Sequence, residues 1–308
     1  MNTCAPAQYT GAEAERVLPF LAVGVSQGNR MRDFVSKYGV LQQALKKMGA
    51  VVVAYSGGVD STFLLKAAVD ALGADHVLAC IGVSPSLAES QYSRALDNAR
   101  QIGAVVQEVN VHELLDGKYS ANNPDRCFHC KSHLYEALWT VARDNGFEAV
   151  VCGSNFDDKD DYRPGNKAAE VHGVGCPLMD AEMTKQDIRA MSRELGLPTA
   201  DMPASPCLAS RLSYGLAVTS DRLGQVEKAE AFLSGLGFVE LRVRHHDTIA
   251  RIEVASEDLG RIVAEPIRTT VLERLSDLGF KYVTVDLKGF RSGSLNETLS
   301  ADAKQAHQ

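Results

Sequence analysis

Short apolar runs alternate with longer stretches whose apolar residues recur at helical spacing. AVVVAY (50–55), HVLACIGV (76–83), AVVQEVNV (104–111) and EAVVCGS (148–154) read as strands, and SGGVDSTFLLKAAVDALG (56–73) and LAESQYSRALDNARQIG (87–103) read as helices between the first three. That rhythm predicts βαβ units and a parallel sheet. The unbroken apolar character of Val51 to Ala54 predicts a central strand covered by helices on both faces. An amphipathic stretch from Met31 to Met48 precedes the first strand, and a helix from Thr184 to Leu195 is closed by Gly196 and Pro198.

ADMPASPCLASRLSYG (200–215) carries two prolines and little apolar periodicity, which places a domain junction there. A helix (Asp221 to Leu236) follows, then strands over Val239 to Arg244 and Ile249 to Val254 that can pair through HHDT. Helical residues interrupted at Pro266 and a last strand over Tyr282 to Leu287 complete the pattern. The expected class is α/β, a Rossmann-like parallel sheet domain (31–205) with a smaller C-terminal α+β domain (206–299). Residues 1–30 read as a disordered extension and 300–308 as a tail.

Composition removes some functions. With 308 residues, 45% hydrophobic and 23% charged, the chain has the balance of a globular protein. Its 32 Lys and Arg against 39 Asp and Glu give a net charge of -7, which disfavours a broad nucleic-acid-binding surface. No apolar run reaches the roughly 18 residues of a membrane span, and the polar beginning has no leader pattern, so a cytoplasmic setting without membrane partners is expected. Seven cysteines, an odd number scattered through the chain, read as reduced thiols rather than a disulfide framework.

The clearest chemistry lies in SGGVDS. Ser56, Gly57, Gly58, Asp60 and Ser61 stand between a buried strand and a helix, where backbone amides point at an incoming anion and glycines admit phosphate oxygens closely. Ser61 and Thr62 can add hydroxyl donors. There is no GxxxxGK[ST], so this is not a Walker loop. The string resembles the loop of PP-loop ATP pyrophosphatases, which cleave ATP between its α and β phosphates. That resemblance implies ATP, Mg2+ and an adenylylated intermediate, without choosing between nitrogen and sulfur as the second nucleophile.

Cys127 and Cys130, spaced CxxC at a helix entrance, and Cys207 in PASPCLASRL form a candidate three-thiolate set. A [4Fe-4S] cluster on three thiolates leaves one iron open to an exogenous ligand. Zinc closed by His129 or His133, and a dithiol redox pair, are rival readings. Cys80 and Cys152 fall inside apolar strand runs and read as inert core residues, Cys176 is undecided, and Cys4 carries no assigned role.

With SGGVDST, four further strings closely resemble the LarE family of ATP-dependent sulfur transferases: DYRPGNKA (161–168), PASPCLASRLSYG (203–215), RVRHHDTIARIEV (242–254) and YVTVDLKGFRSGSLNE (282–297). The resemblance runs from about Met31 to Leu299. It implies an enzyme that adenylates a carboxylate of a pyridinium dicarboxylate mononucleotide and converts it to a thiocarboxylate, in biosynthesis of a nickel-pincer nucleotide for lactate racemase and related enzymes. It also implies a homo-oligomer.

One branch of the family sacrifices a cysteine five residues before the arginine of the SR pair, and here that position is Pro206. The adjacent Cys207 matches the cluster-binding branch, so a catalytic enzyme drawing on inorganic sulfide or another sulfur donor is expected. By the same resemblance Cys207, Arg211 and Glu230 belong to the sulfur-transfer site and Arg242 and Arg244 to the substrate site. Guanidinium groups suit a ligand bearing phosphate and carboxylates. Arg163, Arg291 and Ser292 are weaker candidates. The acidic run Asp157, Asp158, Asp160 and Asp161 reads as a solvated loop in preference to a magnesium site. The alternatives are a PP-loop tRNA thiolase, which also uses sulfur, an ammonia-dependent amidating synthetase, which gives the cysteines no work, and a non-enzymatic nucleotide sensor or sulfur carrier.

Overall fold

The computed structural model describes residues 28–159, 164–291 and 293–298. Cys4, Asp160, Asp161, Arg163, Ser292 and the 300–308 tail lie outside them, as do residues 1–27 of the expected extension.

Helix α1 (Gly28–Met48) begins three residues before the expected Met31 and leads into β1 (Val51–Ala54), α2 (Val59–Leu72), β2 (Val77–Val83), α3 (Glu89–Ile102) and β3 (Val105–Asn110). A short α4 (Gly117–Ser120), α5 (Arg126–Asp144) and β4 (Ala149–Cys152) follow, then α6 (Pro164–Val171), α7 (Pro177–Asp180) and α8 (Lys185–Glu194). The strands form one sheet in the order β3-β2-β1-β4, and every pairing in it is parallel, as the alternation of apolar runs predicts.

Buried Val51 and Val53 join a cluster with α1, α2, α3 and α8. Val52 faces the other way, into a cluster with Tyr135, Leu138 and Ala142 of α5 and Ala168 and Ala169 of α6. Both faces of β1 are therefore dry, which is why an unbroken apolar run fills it. Thr184 caps α8 through a capping box with Asp187, so this helix begins where its sequence signal stands.

Beyond a 3-10 turn (Leu208–Arg211) come α9 (Ser220–Gly235), β5 (Leu241–His246), β6 (Ile249–Val254), α10 (Leu259–Ile262), α11 (Ile267–Asp277) and β7 (Tyr282–Val285). The second sheet has the order β5-β6-β7, with β5 and β6 antiparallel and β7 parallel to β6. The expected hairpin forms, but β5 is displaced from its expected bounds of Val239 to Arg244. β6 ends at Val254, so nothing pairs with Val239, which stays exposed, and the ladder runs on to His246 before Asp247 turns the chain at φ 57°. Leu241 and Val243 pack inward with Ala229 and Leu233 of α9 and Val271 and Leu275 of α11. The other face of the hairpin carries Arg242, Arg244, Arg251 and Glu253. A fourth cluster, holding Tyr119, Leu208, Leu212, Val218 and Val226 with Cys130 and Cys207 against it, joins the two sheets' surroundings.

Candidate active site

The phosphate loop leaves β1 at its carboxyl end and enters α2. Gly57 has φ +68°, and a Cβ there would lie 2.5 Å from the Ala95 Cβ of α3, so both the backbone and the neighbouring helix require glycine. Gly58 is the N-cap of α2 and no side chain bonds the exposed amides, which leaves them to an anion together with the helix dipole. Ser61 Oγ meets Ser56 Oγ at 3.1 Å and donates to the Gly58 carbonyl at 3.2 Å, fixing the turn from inside. Gly153 packs against the loop from β4, and a Cβ there would come within 2.9 Å of the Ser61 amide nitrogen. Four of the five loop residues named from sequence thus form one turn, and the fifth, Asp60, stands in the first turn of α2.

Asp60 Oδ2 pairs with Lys185 of α8, while Asp60 Oδ1 is buried without a partner. A hard oxygen donor lacking a partner beside a phosphate-binding turn fits Mg2+. Lys185 is itself placed by its backbone N–H, which donates to Asp157 Oδ2 at 2.8 Å. Sequence reasoning missed Lys185. Its only signal was its position directly after the Thr184 cap, in the first turn of α8.

Cys127 and Cys130 stand in the first turn of α5, and Cys207 is the N-cap of the 3-10 turn after the proline-rich stretch. Cys127 is exposed, and Cys130 and Cys207 are half-buried. Burial pushes the Cys130 thiol up, and negative charge on Cys207, Glu113 and Cys127 pushes it further, against the opposing pull of the Arg126 guanidinium. Arg126, directly before Cys127, is buried. Its Nη1 donates to Asn122 Oδ1 and, at 2.9 Å, to the Ala209 carbonyl, while Cys127 and Cys207 act electrostatically on the same guanidinium.

Asn122, at φ 56°, donates from Nδ2 to the Ser213 and Leu216 carbonyls at 2.8 and 2.9 Å. Arg126 and Asn122 therefore bind the Cys207 segment to the first sheet's domain. Neither was found from sequence, because their partners lie more than eighty residues away. From the other side the Leu208 N–H donates to the Ser86 carbonyl at 2.9 Å. Among the described residues no three His, Cys, Asp or Glu side chains stand close enough to hold one metal ion. The histidines of the zinc alternative are engaged elsewhere: His133 Nε2 lies 3.0 Å from Asp116 Oδ2, and His129 Nε2 lies 3.4 Å from Asp125 Oδ2.

Arg211 and Glu230 form a fork-on-fork pair, with Nε to Oε1 and Nη2 to Oε2 both at 3.0 Å. Arg211 Nη1 donates to the Pro206 carbonyl, to the Cys207 carbonyl at 3.0 Å and to Ser210 Oγ at 3.1 Å. Glu230 Oε1 also accepts the Val243 N–H at 3.0 Å. This pair clamps the Cys207 turn onto β5.

Arg244 is likewise saturated on one side, donating to the Ser210 carbonyl at 3.0 Å, to Glu253 Oε2 at 2.9 Å and to Ser294 Oγ at 2.7 Å, but its Nε is buried without a partner. Arg242 differs. Its guanidinium meets only the Leu241 and Ala204 carbonyls and the face of Phe290, 5.0 Å away, and among the described residues it has no salt bridge. Burial, with Arg211 and Arg244 nearby, holds Arg242 down to about 10 although Glu230 and Glu253 pull the other way. Positive charge here exceeds what the chain neutralises, which suits an anion.

The acidic run is not a solvated loop throughout: Asp158 is buried and accepts the Asn155 N–H at 3.1 Å, because it closes the turn after β4. Arg291 pairs with Glu297 and Asp286. Cys80 is fully buried, and burial pushes its thiol up to about 12, as expected of an inert core residue. Cys152 is also buried, but its Sγ lies 3.5 Å from Cys176 Sγ. The hydrogen bond from Cys176, with Lys131 and Ser154 adding to it, draws the Cys152 thiol well below its usual range. It is one member of a close dithiol rather than a simple packing residue. No helix of the described residues is long and apolar enough to cross a membrane.

Residues 29–130 match the family model described as NAD synthase. Over 270 residues, 88% of this chain and 97% of the relative, the sequence is 40% identical to the pyridinium-3,5-bisthiocarboxylic acid mononucleotide synthase of Lactiplantibacillus plantarum. It is also 40% identical over 86% of its length to an uncharacterized Synechocystis protein, slr1717, covering 98% of that protein. A tRNA-specific 2-thiouridylase, MnmA of Desulforamulus reducens, is 26% identical over 50% of this chain and 53% of its own.

Proposed function

The chain belongs to the LarE family of PP-loop enzymes, and from that premise we propose that it is an ATP-dependent sulfur transferase converting a carboxylate of a pyridinium dicarboxylate mononucleotide into a thiocarboxylate. The observation that carries this is the pairing of an uncapped phosphate turn at Gly57 and Gly58 with a second, arginine-rich face at Arg242 and Arg244, joined by the clamped Cys207 segment. The first suits ATP and the second an anionic mononucleotide.

ATP lies on the Ser56–Ser61 turn, where Asp60 would hold Mg2+, and the cation would neutralise charge on the phosphates. The substrate carboxylate attacks the α phosphorus and pyrophosphate leaves, which turns a poor leaving group into AMP. Arg242 and Arg244 hold the substrate's anionic groups, and Arg211 and Glu230 keep the Cys207 turn in place. A sulfur nucleophile then adds to the acyl carbon and AMP departs. A [4Fe-4S] cluster on Cys127, Cys130 and Cys207 would supply a coordination position for inorganic sulfide. Since Pro206 stands where the sacrificial cysteine of the other branch would be, the enzyme turns over repeatedly. A cytoplasmic homo-oligomer belongs to the same reading.

The test is anaerobic reconstitution followed by assay with sulfide, ATP and substrate. Wild type should bind iron and form more than one thiocarboxylate per chain, and Cys207→Ala should lose both properties. A wild type without iron, or a Cys207→Ala protein with undiminished iron and turnover, would contradict the cluster reading.

A further inference from the structure

Strand β4 lies at the edge of the first sheet, against β1, and ends on Cys152 level with the residue that ends β1. A parallel bridge joins Val151 to Gly175, and the Cys152 N–H donates to the Gly175 carbonyl at 2.9 Å. The next residue on each side of that bridge is a cysteine, and the sulfurs of Cys152 and Cys176 lie 3.5 Å apart. In a disulfide the two sulfurs stand about 2 Å apart, so the backbone bridge already holds the pair within reach of a bond.

The two thiols are unequal. Cys152 is buried and Cys176 half-buried, which makes Cys176 the side from which a small reagent reaches the pair. The Cys176 thiol keeps its proton, held by its hydrogen bond to Cys152 and by burial, while that same bond, Lys131 and Ser154 favour a thiolate on Cys152. Lys131 is itself set by Nζ donating to Tyr135 Oη at 3.3 Å. A thiolate beside a lysine, with a protonated thiol next to it, is an arrangement in which one sulfur attacks an oxidant and the other resolves the product.

The residues after Cys152 connect the pair to the phosphate turn. Gly153 packs so closely on α2 that a Cβ there would lie 2.9 Å from the Ser61 amide nitrogen and 3.1 Å from the Asp60 carbonyl carbon. Ser154 Oγ lies 3.5 Å from Cys152 Sγ and donates to Asn166 Oδ1 at 2.9 Å. Drawing Cys152 toward Cys176 therefore moves the backbone against which the first turn of α2 rests, since a close-packed interior transmits strain. We propose that Cys152 and Cys176 are an oxidation site, at which hydrogen peroxide forms a disulfide that weakens ATP binding at the Ser56–Ser61 turn. The Cys152 thiolate attacks one peroxide oxygen, the O–O bond breaks, hydroxide leaves and Cys152 becomes a sulfenic acid. Cys176 sulfur then displaces the sulfenic hydroxyl, its proton joining that hydroxyl to leave as water, and the S–S bond forms. Peroxide takes up two electrons, which the two sulfurs supply, and an external dithiol restores the thiols by exchange. The proposal rests on the ATP reading of the turn and not on the cluster.

The test uses the full chain, purified reduced, before and after hydrogen peroxide, comparing wild type, Cys176→Ser, Cys176→Ala and a variant carrying Cys127→Ser, Cys130→Ser and Cys207→Ser together. Peptide mass mapping of oxidised wild type should show Cys152 linked to Cys176. Equilibrium dialysis should show its ATP affinity lowered about tenfold or more, and dithiothreitol should restore it. The triple variant should respond as wild type does, and both Cys176 variants should keep their ATP affinity through the treatment. The proposal is overturned if no Cys152–Cys176 link forms, or if the linked protein binds ATP within about twofold of the reduced one, below the range of ordinary coupling between sites. It is overturned equally if the Cys176 variants lose affinity as wild type does, or if the triple variant is indifferent to peroxide, which would place the response on the other thiols. A reduced wild type that binds no ATP would instead sink the underlying reading of the turn, an outcome visible before any oxidant is added.

Discussion

Glu230→Gln keeps the shape of the side chain and removes its charge. The carboxylate now receives Arg211 Nε, Arg211 Nη2 and the Val243 N–H, all at 3.0 Å. An amide has one oxygen. If that oxygen keeps Nε and the Val243 N–H, the new NH2 faces Arg211 Nη2, donor against donor. Arg211's side chain is only 4% exposed, so water cannot take the lost place. Removing one partner of a buried pair costs about 3–5 kcal/mol, a large fraction of the roughly 5–15 kcal/mol that stabilises a typical folded protein.

Urea unfolding followed by circular dichroism should therefore show Glu230→Gln losing about 3 kcal/mol or more. The paired replacement Arg211→Met with Glu230→Leu should recover much of the loss, since a buried pair contributes little net stability over an apolar one. Because Arg211 Nη1 also holds the carbonyls of Pro206 and Cys207, thiol labelling of Cys207 should accelerate in the single variant and stay fast in the double. A Glu230→Gln protein within about 0.5 kcal/mol of wild type, the range of ordinary surface changes, would refute the view that this pair clamps the turn.

Gly57→Ala should abolish ATP-dependent pyrophosphate release, since its Cβ would overlap Ala95 at a positive φ, and equilibrium dialysis should show ATP retention lost with it. His245 is held down from 6.5 to about 4, first by burial and then by Arg222, with Nε2 beside Gln225 and Nδ1 buried and unpartnered. The unfolded chain takes up this proton first, so stability falls as the pH drops from about 6.5 toward 4. His245→Gln should show a shallower loss over that window in urea titrations at pH 7 and pH 5. Treatment of the folded protein with diamide should join Cys152 to Cys176, 3.5 Å apart, giving a disulfide that peptide mass mapping detects and Cys176→Ser prevents.

The parallel sheet was legible because β1 is buried on both faces, which writes an apolar run into the chain, and the phosphate turn was legible because its two glycines stand between strand and helix. The hairpin of the second sheet was legible, but its start was not: Val239 has the apolar character of a strand residue, and only the end of β6 at Val254 leaves it outside the ladder. Asp158 looked like part of a solvated acidic loop because its burial depends on a turn geometry that its neighbours in sequence do not announce. Arg126, Asn122 and Lys185 escaped notice for a common reason. Each draws its meaning from groups brought near by folding, and an isolated charge or amide between apolar runs carries no mark of the partner it will meet.

Oxygen-18 in the substrate carboxylate tests the central claim most directly. After one round with ATP and sulfide, attack of the carboxylate on the α phosphorus requires that the AMP released carry one labelled oxygen in its phosphate. AMP free of label, formed together with thiocarboxylate product, would show that the carboxylate is never adenylated.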